Sequence, residues 1–152
     1  MKAKEVIVPF APEHISFLEA FECAADLPFW GADNYRCFIE KFPEYFGFCL
    51  ILEADEKRLT GFSLARAAFE DMELLKIGVA PEFQRLGFGT RLLEETFAES
   101  DRRSCTRCFL EVRKSNQKAI QFYSINGFRI IGARLNYYSN PVEDAWIMER
   151  PI

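Results

Sequence analysis

A glycine-containing turn, Gln84-Arg85-Leu86-Gly87-Phe88-Gly89, carries the residue types in this chain that are best suited to binding a charged ligand. It follows an apolar, strand-like run at Leu74–Val79, and apolar residues recur after it at helical spacing. A turn between a strand and a helix leaves backbone N–H groups unpaired where the helix dipole favours negative charge. The sequence therefore predicts an anion site, from Gln84 to Thr90, that suits a phosphate or pyrophosphate.

Two common phosphate-binding motifs do not fit this turn. No Gly-Lys-Ser/Thr follows Gly89, so the lysine and the magnesium-binding hydroxyl of a nucleoside triphosphate site are missing. The dinucleotide fingerprint needs Gly-x-Gly-x-x-Gly after the first strand of a parallel unit, and this pattern does not match it. The glycines alone also allow a purely structural role in tight packing, an alternative that stays open at this point.

The elements that position the turn follow from hydrophobic periodicity and from turn residues. Strands are expected at Glu5–Phe10, Phe46–Glu53, Leu59–Phe69, Met72–Val79, Thr106–Val112, Phe128–Leu135 and Ala145–Glu149. Helices are expected at Glu13–Ala25, at Asp33–Lys41 with Asp33 or Asn34 as N-cap, from the glycine turn to Asp101, and from a Ser115 cap to Gly127. Breaks are expected at Asp26–Gly31 and at the hairpin turn Ala54-Asp55-Glu56-Lys57.

This order, β-α-α-β-β-β-α-β-α-β-β, predicts an α/β (α+β) fold with a mixed sheet. An antiparallel meander is followed by a β-α-β unit, whose crossover should be right-handed. Ligands of open sheets bind at the carboxyl ends of parallel strands, which is where the glycine turn falls.

The composition limits the classes of function. The chain has 152 residues, is 49% hydrophobic and contains 16 Phe, so we expect one folded domain over residues 1–152. A net charge of −4 argues against a nucleic-acid binder and suits an amine or a basic peptide as partner. No run approaches the roughly 20 apolar residues of a membrane span, and no apolar signal segment follows the N-terminus.

The five cysteines are scattered along the sequence, as is typical of reduced cytosolic thiols, so we expect a cytoplasmic protein. Cys105 and Cys108 lie near the start of a strand, where residues three apart face opposite sides of a sheet. We expect them to be structural rather than metal ligands.

The placement of the turn after a fourth strand resembles the GNAT (Gcn5-related N-acetyltransferase) superfamily, whose signature Gln/Arg-x-x-Gly-x-Gly/Ala is matched by Gln84, Gly87 and Gly89. The resemblance implies the GNAT fold, a mostly antiparallel twisted sheet of about seven strands flanked by about four helices. It also implies acetyl-CoA as co-substrate, without a metal. The turn would hold its pyrophosphate, and Ile77-Gly78-Val79 would lie along its pantetheine arm.

Further segments resemble one subgroup, the RimI-type bacterial ribosomal-protein alanine N-acetyltransferases. They are Leu110-Glu111-Val112-Arg113, Ser115-Asn116, Ala119–Tyr123, Asn126-Gly127-Phe128, Asn136-Tyr137-Tyr138 and Glu143–Met148. The resemblance implies direct acetyl transfer in a ternary complex to the α-amine of a protein, in that subgroup a small-subunit ribosomal protein that begins with alanine.

Such a reaction needs a base, because an ammonium group is no nucleophile until it loses a proton. Glu111 is the first candidate, since it interrupts an apolar run beside the expected pocket, and the matching glutamate has this role in RimI-type enzymes. Glu73 is a second choice, placed by alternation on the face of Leu75, Ile77 and Val79. His14, the only histidine, lies far upstream. A solvated position for Glu111 on an edge strand stays open.

The departing thiolate needs a proton donor. Tyr123 shares a helix face with Asn116, Ala119 and Ile120, because residues three, four and seven apart overlap on a helix. The resemblance assigns Tyr123 as general acid and cofactor contact, and Asn116 as a hydrogen-bond partner of the pantetheine. Tyr123 could instead only pack against Ile120. A backbone N–H near Val79, exposed if the strand pair opens at Gly78, is a candidate for holding the oxyanion.

Substrate recognition is assigned to Trp30, Tyr137 and Tyr138, in segments Asp26–Asp33 and Leu135–Asp144 that would flank the amine entrance. Phe29-Trp30-Gly31, Ala80-Pro81 and the short Leu135–Asp144 loop depart from RimI-type sequences and leave the acceptor open. Arg85, Arg91, Lys114 and Lys118 flank the cofactor loops as phosphate contacts or as solvated charge. Two alternatives to a protein N-terminus remain: a small-molecule amine, or CoA binding without turnover.

Overall fold

The computed structural model describes residues 4–25, 27–41, 43–53 and 56–152. Its strands are β1 (Lys4–Pro9), β2 (Tyr45–Glu53), β3 (Lys57–Ala68), β4 (Asp71–Val79), β5 (Arg107–Arg113), β6 (Arg129–Tyr138) and β7 (Glu143–Pro151). Its α-helices are α1 (Ile15–Ala24), α2 (Ala32–Glu40), α3 (Phe88–Arg102) and α4 (Gln117–Ile125), with 3₁₀ turns at Pro12–His14 and Pro81–Phe83. The predicted element order is confirmed. The breaks expected at Asp26 and at Ala54-Asp55 lie outside the described residues.

Two predicted helix caps are wrong. Helix α2 starts one residue earlier than expected, after Gly31, whose φ of +77° is a conformation that favours glycine. Helix α4 is capped by Asn116 rather than Ser115, because the Asn116 side-chain oxygen accepts the Ala119 N–H at 3.1 Å. Ser115 lies one position too early, and its hydroxyl binds Glu143 instead, at 2.9 Å.

The seven strands form one sheet in the order β1-β2-β3-β4-β5-β7-β6. The β4–β5 pair is parallel and the other neighbours are antiparallel, so the predicted mixed sheet is confirmed. The parallel pairing covers only three residue pairs, from Asp71↔Arg107 to Glu73↔Phe109. Beyond Glu73 the two strands separate.

Helices cover both faces of the sheet. The larger core cluster packs α3 and α4 against one face, and the smaller cluster packs α1 and α2 against the other. Cys105 and Cys108 are both buried in the larger cluster, so their predicted opposite orientation is wrong. Alternation does not apply to Cys105, because β5 begins only at Arg107.

Strand β4 changes its alternation at Leu75. Leu74 pairs with Ala65 and Lys76 pairs with Leu64, so Leu75 is an extra residue in the ladder. After this bulge, Ile77 and Val79 pack toward α3, whereas Leu75 belongs to the cluster under α1 and α2. The expectation that Glu73 shares a face with Ile77 and Val79 is therefore wrong.

Substituting Gly47 in β2 by alanine should destabilise the sheet, because an added Cβ would overlap the Ser63 carbonyl oxygen and lie 3.3 Å from the Leu64 Cα. We expect the free energy of unfolding to fall by about 1–3 kcal/mol, as for other overpacked positions. Gly132→Ala is the matched control, since its nearest neighbour would be the Ile147 Cδ1 at 3.8 Å. Urea unfolding measures the free energy of unfolding of both variants. Equal values for Gly47→Ala and Gly132→Ala would contradict the expectation.

Candidate active site

The separation of β4 from β5 opens a cleft in the middle of the sheet. Strand β4 stays paired with β3 through Val79, and β5 stays paired with β7 through Arg113. The edges that face each other across the cleft therefore carry backbone groups with no partner on the neighbouring strand. At Gly78 strand β4 is apart from β5, because the pairing of these two strands ends five residues earlier, at Glu73, while the pairing of β4 with β3 continues.

The glycine turn lies at the carboxyl end of β4, as predicted. Arg85 has a φ of +62° and Gly87 a φ of +84°, and helix α3 begins directly after, at Phe88. The first N–H groups of α3, at Phe88, Gly89 and Thr90, have no carbonyl of the preceding turn to bind. A Cβ built on Gly87 would meet no atom within 4 Å, so the space beside this glycine, directly before the helix, is open.

Gln84 braces the turn through both ends of its side chain. Its amide nitrogen donates to the Val79 carbonyl at 2.9 Å, and its amide oxygen accepts from Lys118 of α4. Leu86 is exposed, as is Arg85. The other basic residues near the cofactor loops have protein partners: Arg91 pairs with Glu5, and Lys114 with Asp144 at 3.0 Å.

Glu111 lies on the part of β5 that has separated from β4. Its neighbours Leu110 and Val112 pack in the α3–α4 cluster, so the Glu111 side chain points to the face that α1 and α2 cover. It is 18% exposed and forms an ion pair with Arg134 of β6. It also accepts a hydrogen bond from Tyr137, which raises the pKa of that tyrosine to about 12. The Glu111 carboxylate thus lies beside the cleft and is held by one ion pair and one hydrogen bond.

Tyr137 and Tyr138 belong to a strand rather than to a loop. The segment expected as a Leu135–Asp144 loop is mostly β6 and β7, and only residues 139–142 connect them. The two tyrosine rings pack edge to face with centroids 5.0 Å apart. The Arg113 guanidinium lies 4.1 Å from the Tyr138 ring and donates to the Ser139 carbonyl at 3.4 Å, which holds this hairpin end against β5.

Tyr123 lies on the opposite face of the sheet from Glu111, in the α3–α4 layer. Its ring packs against Phe122 and Phe128, with centroids 5.4 and 5.6 Å away. Burial raises the pKa of its hydroxyl, so the group stays protonated at neutral pH. Asn116, which the resemblance assigns to the pantetheine, uses its carboxamide oxygen as the α4 cap.

The residues before α2 are fixed by polar groups that the sequence patterns did not single out. Trp30 donates its backbone N–H to the buried Glu22, at 3.1 and 3.2 Å from the two carboxylate oxygens. Glu22 pairs with Lys76 of β4. A signal was present, since each charge interrupts an apolar run. His14 accepts the Ala11 N–H at 3.0 Å within its own turn, and burial lowers its pKa.

In the part of the chain that the structure describes, no three or more His, Cys, Asp or Glu side chains are grouped closely enough to hold a metal ion. None of the helices in the same residues is both long and apolar enough to cross a membrane.

Comparison with known proteins gives consistent matches. The model of the acetyltransferase (GNAT) family matches residues 15–128. The [ribosomal protein bS18]-alanine N-acetyltransferase of Salmonella typhimurium is 40% identical over 105 residues, which cover 68% of this chain and 70% of that protein. The enzyme of the same name from Escherichia coli K12 is 37% identical over 97 residues, 62% of this chain and 66% of the relative. The aligned part thus spans about two thirds of these relatives.

Solved structures agree along almost the whole chain. The crystal structure of the ribosomal-protein-S18-alanine N-acetyltransferase from Escherichia coli superposes with a TM-score of 0.84 at 28% identity, covering 98% of this chain and 94% of that one. Naa20 of Chaetomium thermophilum, in complex with a bisubstrate analogue, has a TM-score of 0.82 at 23% identity, over 97% and 86% of the two chains, and shows the shared fold alone.

The split sheet and these matches define the class of protein: it is an N-acetyltransferase. The chain belongs to the acetyltransferase (GNAT) family, and the predicted GNAT fold is confirmed.

The stability of the protein should depend on pH through Glu143, which lies at the β6–β7 hairpin end beside the site. The Ser115 hydroxyl and N–H, at 2.9 and 2.6 Å, bind its carboxylate and hold its pKa below the usual 4.5. A lowered folded-state pKa stabilises the protein above the usual value, and this contribution is lost as pH falls through the lowered value. Glu143→Gln should therefore be less stable than wild type at neutral pH, with a difference that shrinks in acid.

Urea unfolding between about pH 7 and pH 3 measures this difference. Glu94→Gln, on the exposed side of α3, is the control. A difference in stability that stays constant over that range would contradict the role given to Glu143.

Proposed function

We propose that this enzyme transfers the acetyl group of acetyl-CoA directly to the N-terminal α-amine of a protein, and that an alanine-starting ribosomal protein is its acceptor. The observation that carries the proposal is the cleft between β4 and β5, which has Glu111 on one face and the glycine turn at its mouth. The 40% identical relative, named for acetylation of the bS18 alanine, supports the choice of acceptor.

The residues at the turn fit the phosphate end of acetyl-CoA. Open space lies in front of Gly87, and the first N–H groups of α3 supply donors at the positive end of a 15-residue helix. A Cβ on Gly89 would lie 3.0 Å from the Phe122 ring, so glycine lets α3 start close against α4. Ile77, Gly78 and Val79 line the open edge of β4 along which the pantetheine arm would lie.

Acetyl-CoA supplies an acyl group already activated as a thioester, so the protein must position the amine and move two protons. Glu111 takes the proton from the acceptor ammonium on the α1–α2 side of the sheet. Arg134 and Tyr137 fix the orientation of its carboxylate. Trp30, Tyr137 and Tyr138 form the walls along which the acceptor chain enters.

Tyr123 returns a proton to the sulfur from the other side of the sheet. A tyrosine hydroxyl is protonated at neutral pH, which is the form a general acid needs. Base and acid thus lie on opposite faces of the sheet, and in the proposed reaction they act on a thioester held in the cleft between them.

Steady-state acetylation of an alanine-starting peptide, compared with a panel of small amines including polyamines, tests the acceptor. We expect the peptide to have the higher kcat/KM and mass spectrometry to place the acetyl group on its α-amine. A lysine-containing, N-terminally blocked peptide separates α-amine from side-chain transfer. Equal rates on small amines would overturn the peptide assignment.

Glu111→Gln and Tyr123→Phe should each lower kcat by about 10²–10⁴-fold, the usual contribution of an acid or base. The KM for acetyl-CoA should change little, because neither substitution alters the turn. Glu94→Gln is the matched carboxylate control. Unchanged kcat over the full pH range in both variants would overturn these two roles.

Gly87→Val should raise the KM for acetyl-CoA by about tenfold or more, because a β-branched residue is strained at a φ of +84° and would displace the turn. Gly87→Asn should have a smaller effect, since asparagine tolerates this region. The space around the position is open, so the difference reports backbone conformation and not side-chain collision. Equal KM values for the two variants would contradict it.

A further inference from the structure

A lysine on the cofactor strand reaches into the layer under α1 and α2. The bulge at Leu75 shifts the alternation of β4, so Lys76 points away from the α3–α4 cluster that holds Leu74. Its side chain is 5% exposed and that of its partner Glu22 on α1 is 1% exposed. A buried charge pair of this kind is costly to form unless hydrogen bonds satisfy both groups.

Hydrogen bonds from three elements satisfy this pair. Glu22 accepts from Lys76, from the Tyr35 hydroxyl of α2 at 2.6 Å, and from the Trp30 N–H. Burial alone would raise the pKa of Glu22, but these hydrogen bonds lower it, so the carboxylate stays charged. Lys76 also donates to the Pro28 carbonyl.

The segment 27–31 is thereby fixed by its own backbone. The Pro28 carbonyl and the Trp30 N–H bind the two members of the ion pair, and the Leu27 N–H donates to the Glu22 carbonyl at 2.9 Å. The Lys76 ammonium lies 5.0 Å from the centroid of the Trp30 ring system, within the range of a cation–π contact. These contacts with Lys76 therefore tie the Trp30 indole to β4.

We propose that Lys76 and Glu22 are positioning residues for the acceptor, which hold Trp30 and its loop at a fixed distance from the strand that carries Gly78 and Val79. The inference rests on the proposed function, because it takes Trp30 as part of the acceptor wall. Neither side chain touches the reacting atoms. Their loss should weaken acceptor binding and leave the acetyl-CoA side of the cleft unchanged.

The test replaces the whole polar cluster with apolar groups of similar size, Glu22→Leu/Tyr35→Phe/Lys76→Met, so that no buried charge or hydroxyl is left without a partner. Both it and wild type carry Trp146→Phe, which leaves Trp30 as the sole tryptophan. The exposed pair Glu53 and Lys57 receives the same exchange, Glu53→Leu/Lys57→Met, as the matched control. Circular dichroism and urea unfolding establish that each variant is folded.

We expect acrylamide to quench Trp30 more strongly in the triple variant, and the acceptor KM to rise by about tenfold while the acetyl-CoA KM stays within about twofold. The control should match wild type. Unchanged quenching, or changed quenching with an unchanged acceptor KM, overturns the proposal. If the triple variant does not fold, Glu22→Gln/Lys76→Met replaces it: this variant removes both charges and the lysine contacts but keeps an acceptor for Tyr35 and for the Trp30 N–H, and the same quenching and KM measurements decide.

The two proposals fail separately. Turnover of the alanine-starting peptide by wild type tests the function, whereas quenching of Trp30 needs no acceptor. If wild type acetylates only a small amine, the KM comparison is made with that amine.

Discussion

The candidate active site depends on one constraint, that β4 and β5 stop pairing after three residue pairs. Each strand keeps its other neighbour, so the sheet remains continuous while its centre opens. Backbone groups that a closed sheet would use in a ladder become available to a ligand. The roles proposed for the glycine turn and for Glu111 depend on their position at the border of this opening.

Each side of the opening is supported by its own set of contacts. On the side proposed for the cofactor, Gln84 links the turn to the end of β4 and to α4. On the side proposed for the acceptor, the Glu22–Lys76 pair fixes the segment before α2, and Arg113 with Glu143 fixes the β6–β7 end. The two sets meet at β4, because Lys76 of the second set lies on the strand whose end the first set supports.

The sequence was sufficient for the element order, the mixed sheet and the place of the turn, because these follow from periodicity and from glycine and proline. It was not sufficient where a single residue changes the alternation or a long side chain crosses strands. The Leu75 bulge moved Glu73 off the expected face, and the pairing of Arg134 with Glu111 spans a strand that lies between them. The wrong caps at α2 and α4 depended on one-residue differences in backbone conformation.

The bulge also determines which side chains of β4 face each of the two helical layers. Before Leu75, even-numbered side chains such as Met72 and Leu74 face α3; after it, odd-numbered ones such as Ile77 and Val79 do. The alternation of side chains along β4 thus shifts by one residue at Leu75. If the bulge were lost without loss of a residue, regular alternation would exchange the faces after it: Lys76 would point into the apolar layer under α3, and Ile77 and Val79 would point away from it. The bulge at Leu75 therefore determines which layer of the protein receives the lysine.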